Sequence, residues 1–313
     1  MRGKLGAGGR EPGSTLMNMN LPDSWCNRSN LIDHLAQQLV RGRLGIFLGA
    51  GVSAFYGLPG WTELVNRLSA RSGEPELEGG DDPILRVGAL RAKHYKGKTP
   101  EFLAAVKQEL YQTKTLDFEQ IRKNDTLAAI GSLVMSSKRG SAAKVITLNY
   151  DDMVENYLEF HGFVTSPVWK LAHWANADDV TIYHPHGFLP LAPDRKDSDD
   201  IVLGTQEYYD VIKSHWRPLL ETFLRTHTFL YIGLSGADMH LQSLIHGIKD
   251  VHAITQERLL YHTVRFSVAG KRDDIGAALE PQGVFTHSIA NHSEIPPLLF
   301  AISQTARKIR AGS

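Results

Sequence analysis

Two kinds of hydrophobic pattern alternate along this chain. Short apolar runs at residues 44–48, 144–148, 181–184, 229–232, 259–264 and 284–288 predict β-strands. Apolar residues at helical spacing predict amphipathic helices at 30–40, 61–70, 153–160, 208–226, 239–251 and 295–310. Because strands that alternate with helices pair in parallel, the pattern predicts an α/β fold, with a mostly parallel sheet and helices on both faces.

Residues 71–140 interrupt this alternation. They begin with a loop rich in Gly, Glu and Asp at 73–82, and helical patterns follow at 84–94, 101–111, 118–122 and 127–136. We interpret this stretch as a helical module inserted into one domain that spans residues 30–313. The Gly- and Arg-rich start has no apolar core, so we expect residues 1–29 to form a disordered or extended tail.

Composition narrows the function classes. Lys plus Arg and Asp plus Glu both total 34, a balance that argues against a general nucleic-acid coat or a membrane-surface protein. No apolar run approaches the roughly 20 residues that a membrane span needs. The single cysteine, Cys26, cannot form an internal disulfide or a four-cysteine zinc site, and it favours a reducing, cytoplasmic compartment.

The first candidate motif is a glycine turn directly after the first predicted strand. Gly49, Ala50, Gly51 and Ser53 fit a loose dinucleotide pattern, in which glycines let the backbone approach a pyrophosphate. A tight strand–helix turn with no ligand would need the same glycines. An ordinary dehydrogenase also needs an acidic residue about 20 positions later, at the end of a second strand. That distance falls in the predicted 61–70 helix, so the dehydrogenase version fits poorly.

Two further strands end in polar residues. Asn149 and Asp151 lie two apart after the 144–148 strand, and they would project to the same side of an extended segment. His186 precedes Gly187 after the 181–184 strand, and imidazole is the side chain suited to general-base catalysis near neutral pH. Without a ligand, Asp151 or Asp152 would cap the next helix, and His186 would be an ordinary surface or core histidine.

The fourth motif is a second glycine turn, after the 229–232 strand. It contains Gly233, Ser235 and Asp238 and leads into a helix. Beside the first turn it would hold the ribose and phosphates of the same dinucleotide. The alternative is a buried strand followed by a helix that Asp238 stabilises through the helix dipole.

The order of these motifs is more informative than any one of them. Gly-Ala-Gly-x-Ser, Gly57-Leu58-Pro59, Thr-x-Asn-x-Asp, His-Gly and Gly-x-Ser follow one another as in the sirtuin family, which residues 31–310 resemble. Trp61 and the Gly-x-Ser-x-x-Asp string at 233–238 are similar to the divergent, NAD-hydrolysing sirtuin-like domains of bacterial anti-phage defence. The resemblance implies a Rossmann-like fold and NAD as the substrate, with no metal required.

The resemblance also implies residue roles. Asn149 would contact the nicotinamide ribose, and His186 would be the general base. Asp151 would hold the nicotinamide carboxamide. The remaining candidates would surround the phosphates, riboses and adenosine: Gly49, Ala50, Gly51, Ser53, Gly233, Ser235 and Asp238.

Two departures separate this chain from deacylase-type sirtuins. Gly60-Trp61 follows Pro59 where those enzymes carry Phe-Arg, and their zinc ribbon of four cysteines is incompatible with a single cysteine. We therefore expect hydrolysis of NAD to nicotinamide and ADP-ribose. An NAD-dependent protein deacylase and a non-catalytic sensor of NAD or ADP-ribose remain as alternatives.

Partners follow only from the resemblance. NAD loss is toxic, so such an enzyme would be held inactive until triggered. We expect control by homo-oligomer assembly or by a partner such as a DNA-translocating ATPase or an Argonaute-like protein. The sequence points to no direct nucleic-acid binding.

Overall fold

One parallel sheet organises the chain. A computed structural model describes residues 25–135, 141–142, 144–170, 179–255, 262–270 and 272–312, with the side chains of 249–255 left out. Within these residues seven strands pair in the order β3-β4-β2-β1-β5-β6-β7, and every pair is parallel. The strands are β1 Leu44–Leu48, β2 Lys144–Thr147, β3 Thr165–Val168, β4 Val180–Tyr183, β5 Thr228–Ile232, β6 Thr263–Val268 and β7 Val284–Ile289.

Helices connect the strands on both sides of the sheet. They are α1 Arg28–Val40, α2 Trp61–Arg71, α3 Pro83–His94, α4 Thr99–Tyr111, α5 Phe118–Arg122, α6 Asp125–Val134, α7 Met153–Phe160, α8 Thr205–Lys213, α9 Trp216–Thr226, α10 Met239–Thr255, α11 Asp274–Leu279 and α12 Ile295–Ala311. Short 3-10 turns occupy Ala50–Val52, Ala54–Tyr56, Glu280–Gln282 and His292–Glu294.

The buried side chains of the central strands divide between two cores. Ile46 of β1 and Leu230 of β5 join the core that contains α1 and α12. Phe47 and Tyr231, one position later, join the core that contains α9 and α10. This period of two is what a strand covered on both faces requires. The predicted Rossmann-like α/β fold, with helices on both faces of a parallel sheet, is confirmed.

The helices between residues 71 and 140 do not form a separate core. Phe102 of α4 and Leu133 of α6 are buried in the same core as Ile46 of the central strand. Ser303 Oγ of α12 also donates a hydrogen bond to the Ser132 carbonyl of α6 at 2.8 Å. The stretch is helical as predicted, and it is part of the main packing unit.

The described residues start inside the predicted tail. Helix α1 begins at Arg28, two residues earlier than predicted, because Asn27 Oδ1 accepts hydrogen bonds from the Ser29 and Asn30 amides. Trp25 is fully buried, and its ring centroid lies 4.7 Å from that of His34. The remainder of the predicted tail, residues 1–24, lies outside the described residues.

Several element predictions differ from the structure. Strand β3 was not predicted, because Ser166 and Pro167 interrupt its apolar pattern; proline is tolerated there because β3 is an edge strand. The helix predicted at 208–226 is two helices, since Ser214 is extended with ψ 175°. The strand predicted at 259–264 is observed as Thr263–Val268, and residues 256–261 lie outside the described residues. The short helix α11 was also missed.

The turns after β1 and β5 contact each other through their backbones. The Gly51 amide donates to the Gly233 carbonyl at 3.1 Å. Gly233 has φ 69°, and a Cβ atom there would lie 2.6 Å from the Val52 nitrogen and 2.9 Å from the Gly51 carbonyl carbon. No side chain can enter this space without moving backbone, so glycine is required for both its conformation and its size.

We predict that Gly233→Ala destabilises the protein much more than Gly42→Ala. Both glycines have positive φ, but a Cβ at Gly42 would meet nothing within 4 Å. The control should therefore lose about 1 kcal/mol from backbone strain alone, and Gly233→Ala about 3 kcal/mol. Urea denaturation measures the difference in free energy of unfolding. Equal losses in the two variants would contradict the backbone contact.

Candidate active site

A cleft opens where four neighbouring strands end. Strands β4, β2, β1 and β5 are adjacent and parallel, so the turns that follow them meet at one edge of the sheet. The cleft has a volume of about 490 Å³, within the usual range of small-molecule sites. Every predicted site residue lines it except Gly51: Gly49, Ala50, Ser53, Asn149, Asp151, His186, Gly233, Ser235 and Asp238.

Asn149 ties the end of β2 to the turn after β1. Its Nδ2 donates to the Gly49 carbonyl at 3.0 Å and to Ser53 Oγ at 3.2 Å. Both amide hydrogens are then committed, and the carbonyl acceptor of Gly49 fixes which end of the amide faces it. The side-chain oxygen of Asn149 is left as a hydrogen-bond acceptor at the wall of the cleft.

Asp151 is buried beside Asn149. Its Oδ1 accepts hydrogen bonds from Ser53 Oγ at 2.8 Å and from the Met153 amide at 3.2 Å. The second bond satisfies the first amide of α7, although the N-cap residue is Asp152, whose side chain makes no capping hydrogen bond; the Asp151 side chain also lines the cleft. Burial raises the pKa of Asp151 to about 6, against the two hydrogen bonds, which lower it.

The dinucleotide pattern implies a helix directly after the glycine turn that follows β1. In the structure two 3-10 turns follow β1, and the first long helix begins only at Trp61. The amides of Gly49, Gly51, Val52 and Ser53 donate to carbonyls of this turn or of the β5 end. Of residues 49–53, Ala50 is the one whose amide does not donate to a described backbone carbonyl. Gly51 packs against Gly233, away from the cleft lining.

His186 lies directly after β4 at a sharp turn. Gly187 has φ 98°, and a Cβ there would lie 2.7 Å from the Asp200 carbonyl oxygen. The imidazole is 2% exposed, and its Nε2 lies 3.2 Å from His240 Nδ1 and 3.9 Å from Asp238 Oδ1. Burial lowers the pKa of His186, and the carboxylate of Asp238 partly offsets this. A neutral imidazole can accept a proton.

Both carboxylate oxygens of Asp238 accept hydrogen bonds. Its Oδ1 accepts the Leu241 amide at 2.9 Å, which is the helix-capping role considered from the sequence. Its Oδ2 accepts the hydroxyl of Tyr208 at 2.8 Å. Ser235 is held nearby, since its Oγ accepts the Ala237 amide and its carbonyl accepts Arg265 Nη2 at 3.1 Å.

Several residues of the site were not predicted. Tyr208, on α8, lines the cleft and packs edge-on against His186 with ring centroids 5.5 Å apart. His240 lies behind His186 with nearly parallel rings. Tyr208 follows no strand–glycine motif, so the sequence carried no signal for it. His240 follows Asp238 by two residues, so its nearness to the predicted motif was the available signal, although residues two apart do not share a helix face.

The 71–140 stretch contributes to the cleft as well. Ile84 of α3 and Leu110 of α4 form part of its apolar wall, beside Trp61 of α2. Trp61 contacts Tyr208 edge to face, with ring centroids 6.1 Å apart. The helical stretch therefore closes one side of the site.

Two searches of the described residues bear on other classes of site. No group of three or more His, Cys, Asp or Glu side chains is arranged to hold a metal ion there. No helix in those same residues has the length and apolar character needed to cross a membrane.

The parallel sheet and the motifs around its cleft resemble those of sirtuin-like proteins. A family model described as a SIR2-like domain matches residues 143–280, somewhat less than half of the chain. The matched stretch contains Asn149, His186 and Gly233, whereas the Gly49 turn precedes it. The resemblance to sirtuin-like defence proteins inferred from the sequence is confirmed at this level.

Three curated relatives extend the match. An NAD(+) hydrolase ThsA of Acinetobacter baumannii (strain 532279) is 23% identical over 74% of this chain and 44% of its own length. Defense-associated sirtuin 2 of Bacillus subtilis is 26% identical over 70% of this chain and 20% of its own. The NAD(+) hydrolase ThsA of Enterococcus faecium is 24% identical over 70% and 42%. The chain thus spans less than half the length of these relatives.

We predict that ionisation of Asp151 opposes folding. The pKa of Asp151 is about 6, above that of an ordinary aspartate. Below about pH 4 the carboxyl group is protonated in the folded protein and folding is not opposed. As the pH rises to about 6, ionisation lowers the free energy of unfolding. A shift of about two units corresponds to about 3 kcal/mol. Asp151→Asn keeps an oxygen for Ser53 and Met153 but cannot ionise. Relative to wild type, the free energy of unfolding of Asp151→Asn should rise by about 2–3 kcal/mol between pH 4 and pH 7.5, which is the equivalent of about two pKa units.

Urea denaturation at the two pH values measures this gain. Asp194→Asn is the matched control, because Asp194 is exposed. A pH-independent difference between Asp151→Asn and wild type would show that the carboxyl group is not destabilised by burial.

Proposed function

We propose that this chain binds NAD in the cleft and hydrolyses its nicotinamide–ribose bond, giving nicotinamide and ADP-ribose. The observation that supports this best is that Asn149 and His186, from the ends of different strands, line one cavity beside two glycine turns. Two relatives named NAD(+) hydrolase support the same chemistry.

The reaction asks little of the protein beyond positioning and charge control. Nicotinamide leaves as a neutral base from a cationic glycosidic nitrogen, so the ribose passes through an oxocarbenium-like state. Water adds its oxygen to the anomeric carbon and loses one proton. Overall, NAD⁺ and water give nicotinamide, ADP-ribose and a proton.

Asn149 and His186 are suited to the two remaining tasks. The amide of Asn149 is fixed through both hydrogens, so its oxygen can accept a hydrogen bond from the water or from a ribose hydroxyl. His186 is held neutral by burial, and it takes the proton from the water directly or through a ribose hydroxyl.

Other lining groups would hold the rest of the substrate. The Ala50 amide, Gly233 and Ser235 would border the phosphates and the adenosine side, as would Gly49. Asp151 would hold the nicotinamide carboxamide, with Ser53 orienting its carboxyl group. Gly51 would act indirectly, by setting the contact between the two glycine turns.

Two alternatives give different products or none. A protein deacylase would use the same histidine and would release O-acetyl-ADP-ribose from an acetyl-lysine peptide, but the four cysteines of the deacylase zinc ribbon are absent from the sequence. A sensor module would bind NAD without releasing nicotinamide. A pure binding site has no need of an oriented amide and a buried neutral imidazole in the same cavity.

We further propose that the chain is a regulated, cytoplasmic effector of anti-phage defence. One relative is named a defense-associated sirtuin. Assembly of several copies, or a partner such as a DNA-translocating ATPase or an Argonaute-like protein, would switch it on. NAD turnover per chain should then rise with protein concentration or with added partner. A full rate from a dilute monomer with nothing added would contradict this control.

We predict that Asn149→Ala and His186→Ala each lower NAD cleavage at least about 100-fold, because each removes a group that acts on the reacting water or ribose. Liquid chromatography with mass spectrometry follows nicotinamide and ADP-ribose, and calorimetry measures NAD binding in the same variants. His292→Ala is the control, since His292 is exposed and distant in sequence from every motif. Undiminished turnover in both site variants would remove the role assignments.

A further inference from the structure

The imidazole of His186 hydrogen-bonds to His240, and no motif assigns His240 a role. It lies in the first turn of α10, directly after the second glycine turn, and is 1% exposed. Its Nδ1 faces His186 Nε2 at 3.2 Å, with ring centroids 5.4 Å apart and planes inclined by 23°. Its Nε2 is buried without a hydrogen-bond partner among the described residues.

Only one hydrogen fits between the two facing nitrogens. A hydrogen bond needs one N–H donor and one lone pair, so two protonated nitrogens would repel each other there. Either His186 donates from Nε2, which leaves its Nδ1 with the lone pair, or His240 donates from Nδ1, which occupies the Nε2 lone pair of His186. Only the first arrangement leaves a lone pair of His186 free, on Nδ1, to act as the base.

Asp238 decides between these arrangements. Its Oδ1 lies 3.9 Å from His186 Nε2, and the carboxylate is held in place by Tyr208 and by the Leu241 amide. A hydrogen on Nε2 is attracted by this carboxylate, whereas a lone pair on Nε2 would face negative charge. Burial and the neighbouring His186 lower the pKa of His240 to about 3, so His240 is neutral near pH 7, and its Nδ1 can carry the lone pair that accepts this hydrogen.

We propose that His240 is a positioning residue for His186: it accepts the hydrogen of His186 Nε2, fixes the ring, and leaves Nδ1 of His186 as the proton acceptor. The inference rests on the proposed function for its catalytic consequence. The hydrogen position itself is a property of the resting protein.

The first test reads the hydrogen position without any activity. Long-range ¹H–¹⁵N spectra of the full chain, with ¹⁵N-histidine, should show His186 at pH 7 as a neutral ring protonated on Nε2. Its signals are assigned by their loss in His186→Gln. His240→Phe should remove the hydrogen-bonded Nε2 proton, and His240→Asn should retain it, because the Asn oxygen takes the place of Nδ1. A His186 ring protonated on Nδ1 in wild type would overturn the proposal.

The second test separates positioning from structure. His240→Phe should lower kcat for NAD cleavage about 10- to 100-fold, with KM for NAD within about twofold, because the ring of His186 loses its orientation while the cleft remains. His240→Asn should keep at least about a third of the wild-type kcat. Far-UV circular dichroism and NAD binding show that each variant is folded.

The outcomes distinguish the two proposals. If wild type cleaves NAD and His240→Phe cleaves it equally well, the role of His240 is wrong and the proposed function stands. If wild type does not cleave NAD under any condition, the proposed function fails, and the spectra still decide the hydrogen position. Equal loss of kcat in His240→Phe and His240→Asn would mean that the hydrogen bond is not what matters.

Discussion

The backbone contact between the turns after β1 and β5 is the constraint on which the site depends. Gly51 and Gly233 meet with no room for a side chain, and the amide of one donates to the carbonyl of the other. This contact holds the two central turns of the sheet edge together. Most amides of the turn after β1 already donate to backbone carbonyls, so a ligand meets few free donors there.

The polar groups of the cleft are fixed by bonds between different strands. Asn149 after β2 reaches the Gly49 carbonyl after β1, and Asp151 is joined to Ser53 in the same way. His186 after β4 meets Asp238 and His240, which follow β5. Residues from another part of the chain therefore orient these candidate side chains before a substrate binds. Binding then costs little conformational entropy, because the side chains are already in place.

Much of the architecture could be predicted from residue order. Buried strands such as Leu44–Leu48 read as continuous apolar runs, and the motifs after them contain glycine or polar residues at the positions where ligands bind to parallel sheets. Edge strand β3 was missed because its residues are half buried and include a proline, so its pattern is weak. The early start of α1 was missed because the burial of Trp25 depends on His34 and Phe285, which the local sequence does not reveal.

The sequence by itself determined the fold class, the four turns and the resemblance to sirtuins, because hydrophobic period and glycine position are local properties of the chain. Only the tertiary structure decided that Gly51 packs against Gly233 and does not line the cleft, that α3 and α4 close one wall, and that His186 has His240 as its neighbour. These are contacts between residues far apart in the chain. They depend on the distance and direction between side chains in space, which no local pattern records.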